Sequence, residues 1–467
     1  MKYIVFAKVV KGELSPFDEA ALECALRLRE VSPGELILAS MAPESAADAL
    51  RALTRLGIDR TVLLTDPAFA GSDTACTSLV LAQAAKGFLG IEREYLILCG
   101  RQSMDGDTAQ VGVSVAARLG IPAHTNVMAF DGAGCTTRMG GEELKLPALV
   151  TVERIAVLRR PSMRARPRDI ERMDARTLGI DKERVGLRGS PTRVLRSFES
   201  DRGRRFCKFL TPDALAEKLA ELMHTPRAAA ETEESEAKLP EIFAVGEDVA
   251  AIAGRIAHHV TVLPRMSADE YVSMFRDDPP EVLLFPADLW GRRTAPEVAT
   301  RLAAGLCADC TRLETDGTRL QMYRPALGGR VTAMIECRTK PQMATVRTVS
   351  ESADVIVSCG FGVRGGIAAA QTLADRLGAQ MGASRKLVDG GFAPYEQQVG
   401  ITGRTVAPKI YLALGISGAV HHTAAIEGSG FILAVNPDKN AQIFDFCDFG
   451  CVSDAEAFFH AAESAKF

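Results

Sequence analysis

Hydrophobic and polar positions along the first hundred residues follow two alternating periods. Short apolar runs rich in β-branched residues predict buried strands at residues 3–10, 35–40, 60–64 and 95–100. Between them, apolar residues recur at helical spacing and predict helices at residues 16–30, 45–56 and 73–89. Ser15 followed by Pro16 is typical of a helix start. Strands that alternate with helices predict a parallel sheet covered on both faces.

The same alternation begins again at residue 241 and a third time at residue 352. The third series predicts strands at 353–358, 409–414 and 431–436 and a helix at 366–377. The first two series share a short internal repeat at 96–119 and 282–302: a strand, a Gly-Arg loop, a Thr-Ala helix start and an Arg-Leu pair. Chance similarity is the alternative for so short a match. We predict an α/β protein with two pseudo-symmetric, doubly wound parallel-sheet domains and a third α/β domain.

Composition agrees with this organisation. At about 150 residues per domain, 467 residues indicate roughly three domains. With 47% apolar and 24% charged residues, the chain is unlike disordered or fibrous proteins. No apolar run approaches the ~18 residues of a membrane span, and residues 1–8 resemble a strand more than a signal peptide. The eleven scattered cysteines predict reduced thiols, so we expect a cytoplasmic protein.

Charge is distributed unevenly, although the net charge is only −4. Between Arg159 and Arg205 there are 15 Lys and Arg against 7 Asp and Glu. A nucleic-acid site is one reading of such a segment, but its single aromatic residue, Phe198, provides no stacking platform. We favour an arm that lies across acidic parts of the same protein, with no nucleic-acid partner. The acidic, small-residue stretch 225–240 predicts a linker.

Glycine-rich loops that follow predicted strands are the candidates for ligand binding. Gly360, Gly362 and Gly365 match a dinucleotide-binding fingerprint, but no acidic residue ends a strand about 20 residues later. The loop 100–112 fits either a nucleotide phosphate at a helix start or a simple capped helix. His421 and His422 have no metal-ligating partner at convincing spacing, and Cys307 and Cys310 have no second cysteine pair, so no metal site is predicted.

The order of motifs in the C-terminal third resembles the FAD domain of the electron transfer flavoprotein α subunit. The motifs are Ala-Ser-Arg at 383–385, Val-Asp-Gly-Gly at 388–391, Gln-Val-Gly-Ile-Thr-Gly at 398–403, Gly-Ile-Ser-Gly-Ala at 415–419, His422 and Asn-Pro-Asp at 436–438. Residues 324–329 and 340–347 resemble the first domain of that subunit. Residues 15–19, 100–112 and 186–192 resemble the β subunit.

The resemblance therefore implies β and α subunits joined in one chain. It implies a β-like domain with a basic C-terminal arm at 1–224, a linker at 225–240, an α-subunit first domain at 241–348 and an FAD-binding domain at 349–467. The two halves would pack as an intramolecular pseudo-heterodimer.

The resemblance also implies an FAD site in the last domain. Arg385, Thr402 and His422 would tune the flavin. Ser384, Ser417, Gly418 and Ala419 would hold its ribityl and pyrophosphate groups, and Asn436 and Asp454 would contact adenosine. The full implied set is Gly362, Arg364, Ser384, Arg385, Gln398, Val399, Gly400, Ile401, Thr402, Ser417, Gly418, Ala419, Val420, His421, His422, Asn436, Asp438 and Asp454.

The β-like half would hold a second nucleotide, AMP or FAD. Residues 105–112 and 68–74 resemble electron-bifurcating members of the family, which favours a second FAD. The implied residues are Ala7, Ser15, Pro16, Phe17, Met41, Asp105, Gly106, Asp107, Thr108, Ala109, Gln110 and Val111.

The implied function is electron transfer through FAD between a flavin dehydrogenase, of the acyl-CoA dehydrogenase kind, and a downstream acceptor, with or without bifurcation. Ferredoxin, flavodoxin and a quinone oxidoreductase are the partners considered. The alternatives are an NAD-dependent oxidoreductase that uses the 360–365 loop and a redox-inactive nucleotide-binding module.

Four departures from the family pattern affect details. The loop at 11–14 is short, and the short stretch 347–354 would restrict movement of the FAD domain. Phe361 replaces an arginine, so a phosphate contact would pass to Arg364 or be lost. His421 replaces a glutamine.

Overall fold

The computed structural model describes residues 1–90, 94–130, 134–199, 205–225, 237–327, 331–349 and 353–467. The chain divides into two compact units. Unit 1 comprises Met1–Ser197, Ser235–Leu327 and Ala333–Val346, and unit 2 comprises Phe198–Glu234, Gly328–Thr332 and Arg347–Phe467. Most of the predicted linker, residues 226–236, lies outside the described residues, as do residues 328 and 329 of one family motif.

The strands, in chain order, are β1 (Lys2–Phe6), β2 (Val9–Val10), β3 (Glu13–Leu14), β4 (Glu35–Met41), β5 (Arg60–Leu64), β6 (Tyr95–Gly100), β7 (Ala123–Phe130), β8 (Gly134–Thr137), β9 (Gly140–Glu143), β10 (Ala148–Val152), β11 (Glu171–Met173), β12 (Thr192–Glu199), β13 (Lys208–Phe209), β14 (Leu239–Val245), β15 (Ala257–Leu263), β16 (Val282–Pro286), β17 (Leu306–Cys310), β18 (Arg312–Thr315), β19 (Leu320–Ala326), β20 (Val331–Cys337), β21 (Gln342–Val346), β22 (Val355–Cys359), β23 (Gln380–Ala383), β24 (Ile410–Leu414), β25 (Phe431–Val435) and β26 (Phe449–Cys451).

The α-helices are α1 (Pro16–Val31), α2 (Ala47–Leu53), α3 (Thr74–Leu89), α4 (Val111–Leu119), α5 (Gly186–Gly189), α6 (Pro212–His224), α7 (Glu247–Ala253), α8 (Ala268–Phe275), α9 (Leu289–Arg301), α10 (Ile367–Leu377), α11 (Arg385–Asp389), α12 (Val420–Thr423) and α13 (Ala455–Ser464). Short 3-10 turns occupy Glu44–Ala46, Thr54–Leu56, Pro67–Phe69, Lys182–Arg184, Phe361–Val363, Tyr395–Gln397 and Gln442–Asp445. Within the described ranges, no helix has both the length and the apolar character needed to cross a bilayer.

Unit 1 contains two sheets with the same topology. The nine-stranded sheet has the order β11-β5-β4-β1-β6-β10-β7-β8-β9, and the five-stranded sheet has the order β15-β14-β16-β21-β17. The five strands β4-β1-β6-β10-β7 therefore correspond one to one with the whole second sheet. Equivalent helices α4 and α9, which follow equivalent strands β6 and β16, pack against each other. The predicted pair of pseudo-symmetric parallel sheets is confirmed.

A backbone detail repeats as well. Asn126 on β7 has φ +58°, and its N–H donates to the Thr151 hydroxyl at 3.0 Å. Asp309 on β17 has φ +61°, and its N–H donates to the Thr345 hydroxyl at 2.8 Å. Left-handed backbone at a non-glycine residue is uncommon, so its occurrence at equivalent positions indicates duplication rather than chance.

The remaining sheets of the first part are small. The strand order β12-β20-β19-β18 forms a four-stranded sheet, in which β18 and β19 are antiparallel. Strands β2 and β3 form an isolated antiparallel pair.

Two elements predicted in the first hundred residues are shorter in the structure than predicted. The strand predicted at 3–10 ends at Phe6, because the Lys8 N–H donates to the Asp18 carboxylate and not to a neighbouring strand. Lys11 and Gly12, with φ +52° and +85°, then turn the chain into the β2–β3 pair. The helix predicted at 45–56 is a short α2 between two 3-10 turns.

The basic segment makes ion pairs with carboxylates of its own unit, as predicted. Arg159 binds the buried Glu23 through two guanidinium nitrogens at 3.0 Å each. Lys182 lies 3.1 Å from the buried Asp66 carboxylate. These contacts fix the segment along unit 1 and use part of its positive charge.

Unit 2 is built on a six-stranded sheet of order β13-β26-β25-β24-β22-β23, and all its strand pairs are parallel. The first predicted domain extends to residue 224, but the chain from Phe198 onward belongs to unit 2. The physical reason is that β13 pairs with β26 and the apolar face of α6 packs on α13. Leu215 and Leu219 of α6 share one core with Phe458.

Candidate functional site

The strand order of unit 2 reverses between β22 and β24, because the chain leaves β22 towards β23 and then crosses to β24. Ligands of doubly wound sheets bind at the carboxyl ends of the strands at such a point. The loops that follow β22 and β24 contain Gly360, Gly362 and Gly415. A Cβ on Gly360 would lie 2.0 Å from the Gly415 carbonyl oxygen. Gly415 has φ +62°, and its own Cβ would lie 2.5 Å from Val363. The two loops therefore touch backbone to backbone, and Gly362 lies exposed beside them.

A third glycine shapes the loop after β24. Gly418 has φ +83°, and a Cβ there would lie 2.1 Å from the Ile443 nitrogen. The Ile443 N–H donates to the Ser417 carbonyl at 3.1 Å. This turn leaves Ser417 and Ala419 exposed at the carboxyl end of the sheet, with Val420 opening α12.

The loop that begins at Gln398 is joined to α12. The Ile401 N–H donates to the His421 carbonyl at 2.7 Å, and Gly400 (φ +148°) packs against the same carbonyl. The Gln398 amide nitrogen donates to the Thr402 hydroxyl at 2.7 Å. The Gln398 carbonyl oxygen Oε1 is buried and has no partner among the described residues. The predicted residues 398–402 and 421–422 are thus brought together, and one buried polar atom among them has no partner among the described residues.

His422 is the most unusual side chain of this loop cluster. Its ring is buried, and its Nε2 lies 2.8 Å from the Tyr411 hydroxyl. Burial lowers the pKa of His422 to about 4, so the ring is neutral at physiological pH. Within the described part of the chain, its buried Nδ1 makes no hydrogen bond of good geometry, although a contact between the ring and the Val399 backbone opposes the fall in pKa. His421, the preceding residue, is exposed.

Positive charge flanks the glycine-rich loop. The Arg364 guanidinium lies 4.9 Å and the Lys386 ammonium 4.7 Å from the centre of the Phe361 ring. Ser384 follows β23, and its N–H donates to the Cys359 carbonyl at 2.9 Å. Arg385 pairs with Asp389, with Nε 3.1 Å from the carboxylate. Two cations therefore lie at the Phe361 ring, where the resemblance had led us to expect the loss of one.

Three other predicted residues have internal roles. Asn436 donates to the Ile416 carbonyl at 2.9 Å and accepts from the Asp438 N–H at 2.9 Å. The Asp438 carboxylate accepts from the Asn440 N–H, and Asp454 caps α13. Their contact with adenosine stays a prediction.

Unit 1 contains a separate cavity of about 1020 Å³. It lies at the carboxyl ends of β1, β4, β5 and β6 and is also lined by residues of β17, β19 and β20. The predicted residues that line it are Ala7, Met41, Asp105, Gly106, Thr108, Ala109, Gln110 and Val111.

Four residues predicted for this nucleotide do not line the cavity. The Ser15 hydroxyl caps α1 by accepting from the Asp18 N–H at 3.1 Å, and Pro16 is the first residue of that helix. Phe17 is buried beneath the Arg101 guanidinium, at 5.2 Å. Asp107 accepts from the Gln102 amide. The side chains of Ser15, Phe17 and Asp107 therefore contact neighbouring residues of the local fold.

Sequence reasoning missed Arg324, which lines the same cavity. Arg324 is 5% exposed, and its Nε and one terminal nitrogen have no partner among the described residues. The amide nitrogen of Gln110 is also buried without a partner. The signal available in the sequence was one arginine inside the otherwise largely apolar strand β19. A buried guanidinium without a counter-charge favours an anionic ligand.

Two family models match this chain. A family model described as "Electron transfer flavoprotein domain" matches residues 4–178 and 259–374, and one described as "Electron transfer flavoprotein FAD-binding domain" matches residues 350–427. The chain is 40% identical over 222 residues to the electron transfer flavoprotein subunit alpha of Thermoanaerobacterium thermosaccharolyticum, which covers 38% of this chain and 67% of that protein.

Two further relatives match this chain. The electron transfer flavoprotein subunit beta of Megasphaera elsdenii is 38% identical over 215 residues, covering 42% of this chain and 80% of that protein. The acryloyl-CoA reductase electron transfer subunit beta of Anaerotignum propionicum is 36% identical over 267 residues, covering 40% of this chain and 73% of that protein. With α-type and β-type relatives both matching and the domain model covering more than half of its length, this chain belongs to the electron transfer flavoprotein family, in a form that joins β-type and α-type parts.

Proposed function

We propose that the chain carries electrons through an FAD held in unit 2, from a flavin-dependent dehydrogenase to a downstream acceptor. The match to the FAD-binding domain supports the cofactor. One relative is named as an electron transfer subunit of acryloyl-CoA reductase, which supports a partner of the acyl-CoA dehydrogenase kind. The contact between α4 and α9 supports a pseudo-heterodimer formed within one chain.

The observation that carries the proposal is the Tyr411–His422 pair beside the glycine loops. Burial raises the pKa of Tyr411, so the phenol keeps its proton and can donate to His422 Nε2. The neutral imidazole then carries its proton on Nδ1, which has no hydrogen bond of good geometry among the described residues and only the Val399 backbone in contact with the ring. Because a buried donor without a good hydrogen bond costs about 1–3 kcal/mol, an acceptor oxygen on a bound ligand would stabilise this arrangement.

Bound FAD would supply the redox chemistry, and the protein would hold it and set its potential. His422 Nδ1–H would donate to an acceptor on the flavin and stabilise negative charge that develops there. Arg385 would add positive charge, partly compensated by Asp389. The cations of Arg364 and Lys386 suit the pyrophosphate, and the closely packed glycines allow the backbone to approach it.

The structure gives no support to the NAD-dependent alternative. In that class an acidic residue at the end of the second strand binds the ribose. Here β23 ends at Ala383 and is followed by Ser384. NAD released from the denatured protein would favour that alternative, whereas a flavin that no dye or dehydrogenase can reduce would favour the redox-inactive module.

The first experiment compares His422→Ala with His460→Ala, a control at an exposed position on α13. We expect His422→Ala to weaken FAD binding or to lower the flavin midpoint potential, because a hydrogen-bond donor to the reduced ring is lost. His460→Ala should match the unchanged protein in both measurements. Equal affinity and equal potential in His422→Ala would contradict the proposed role of this histidine.

We further propose that the cavity of unit 1 holds a second nucleotide, FAD in preference to AMP, as in a bifurcating carrier. Its volume lies at the upper end of the roughly 300–1,000 Å³ of small-molecule sites. Arg324, two of whose nitrogens have no partner among the described residues, would supply a positive charge for a phosphate, and Gln110 would supply an amide donor. Ferredoxin, flavodoxin or a quinone oxidoreductase would then be the second partner.

Nucleotide stoichiometry tests this assignment. The protein is saturated with FAD and denatured, and FAD and AMP per chain are quantified by chromatography. Two FAD per chain would support the bifurcating type; one FAD with one AMP would contradict it and leave a one-flavin carrier. Arg324→Met should lose one nucleotide, whereas Arg312→Met, whose guanidinium stacks on Tyr323 at 4.1 Å, should lose none.

A further inference from the structure

Two thiols from distant parts of the chain lie side by side in unit 2. Cys207 directly precedes β13, and Cys447 follows the turn Gln442–Asp445. Their Sγ atoms are 3.3 Å apart, although 240 residues separate them in the sequence. Neither residue belongs to the two nucleotide sites described above.

The surrounding contacts hold the two sulfurs at this distance. The Lys208 N–H donates to the Asp448 carbonyl at 2.9 Å, and the Leu210 N–H donates to the Gly450 carbonyl at 2.8 Å. Arg205 pairs with the Asp448 carboxylate at 2.6 Å. A Cβ on Gly450 would lie 2.6 Å from the Cys207 sulfur, so the glycine provides the space that this sulfur occupies.

The two thiols differ in access to solvent. Cys207 is half-buried, whereas Cys447 is fully buried. The hydrogen bond with Cys447 lowers the pKa of the Cys207 thiol, which increases its thiolate fraction. Cys207 is therefore the sulfur that a small oxidant can reach, and Cys447 is placed behind it as the second thiol.

We propose that Cys207 and Cys447 form an oxidation site at which a hydroperoxide converts the two thiols into an intramolecular disulfide. The Cys207 thiolate attacks one peroxide oxygen, the O–O bond breaks, and hydroxide leaves. The Cys447 sulfur then attacks the resulting sulfenic acid, the S–O bond breaks, and the S–S bond forms. Two thiols and one hydrogen peroxide give one disulfide and two waters, so the thiols lose the two electrons that the peroxide gains. The sulfurs need to approach by only about 1.3 Å to reach the usual S–S length.

The disulfide would anchor a segment that joins the sheet at its edge without a covalent link. Strand β13 has two residues, and the segment from β13 to α6 joins the sheet and α13 at its edge. A covalent link at its start would keep it in place when those contacts open. The expected consequence is a higher unfolding temperature for oxidised unit 2.

The test uses the full-length, FAD-loaded protein. After hydrogen peroxide treatment and thiol alkylation, peptide mapping by mass spectrometry should find a Cys207–Cys447 cross-link that dithiothreitol removes. Cys207→Ser should abolish both the cross-link and the peroxide-induced rise in unfolding temperature. Cys310→Ser is the matched control, because Cys310 is buried on β17 and its replacement should leave both the Cys207–Cys447 cross-link and the peroxide-induced rise in unfolding temperature unchanged.

Three results would overturn the proposal: quantitative alkylation of Cys207 after peroxide, its conversion to sulfinic acid without a cross-link, or a cross-link to a different cysteine. Cys207 is half-buried, so Cys207→Ser should fold even if replacement of the buried Cys447 does not. The readout is a peptide mass and does not depend on the electron-transfer proposal.

Discussion

Replacing Gly360 tests whether the loops that follow β22 and β24 need to be in contact. In Gly360→Ala, the new methyl group would lie 2.0 Å from the Gly415 carbonyl oxygen and 2.5 Å from its carbon. Both atoms are backbone, so no side-chain rotation relieves the contact. Gly365 belongs to the same glycine-rich loop, and its Cβ would meet no atom within 4 Å, which makes Gly365→Ala the matched control.

The size of the effect follows from these distances. Since carbon–oxygen contacts are about 3.3 Å or longer, the loops after β22 and β24 would have to separate by more than about 1 Å. Overpacking costs about 1–3 kcal/mol, and we expect the upper end because two backbones must move. For a unit of this size, a loss of about 3 kcal/mol lowers the unfolding temperature by about 6–12 °C. Gly365→Ala should change stability by no more than about 1 kcal/mol in either direction.

The assay is thermal unfolding of both apo variants followed by circular dichroism, with FAD affinity measured by quenching of flavin fluorescence. We expect Gly360→Ala to unfold earlier and to bind FAD more weakly, whereas Gly365→Ala should behave like the unchanged protein. Unfolding temperatures within about 2 °C of each other would refute the argument from loop contact.

Three further outcomes are expected. Arg159→Ala should lower the free energy of unfolding by about 1–3 kcal/mol, because it removes a partner of a buried carboxylate on α1; the exposed neighbour Arg160→Ala should change it by less than about 0.5 kcal/mol in urea titrations. Burial raises the pKa of Asp18 from 3.8 to about 6. Relative to the ionised form, the protonated side chain adds about 3 kcal/mol to the free energy of unfolding below pH 4, and this contribution is lost as the pH rises through about 6. Asp18→Asn should remove that component from unfolding measured across the same pH range. Arg385→Ala should retain FAD but lower its potential by about 20–40 mV in spectroelectrochemical titration, and Asp389→Asn should raise it; an unchanged potential in Arg385→Ala would contradict the charge argument.

The sequence was informative wherever local physics determines an element. Strands β5 and β6 begin and end where their apolar runs do, and Ser15 caps α1 as predicted. The two sheets of the first unit could be anticipated from one short repeat, because equivalent strands and helices keep equivalent loop chemistry.

The site was harder to predict where a side chain is placed by the tertiary structure. Arg324 lies on a strand far from residues 105–111 in sequence, and only the fold brings it to the same cavity. Conversely, Phe17 and Asp107 lie in segments that resemble the family, but Phe17 packs against Arg101 and Asp107 accepts from Gln102. A motif identifies the segment that approaches a ligand, but the packing decides which side chain within that segment is available.

Unit 2 is assembled from segments on both sides of the predicted linker, and this has a consequence for a chain cut within that linker. This unit includes β13 and α6 from before the linker as well as the sheet that follows it. A cut between residues 225 and 237 would give two fragments, of which the first carries an edge strand and a helix that complete the second. Neither fragment would contain a complete unit 2, and assembly of this unit would depend on the concentration of both fragments. The intact polypeptide replaces that bimolecular step with an intramolecular one, at an effective concentration on the order of millimolar.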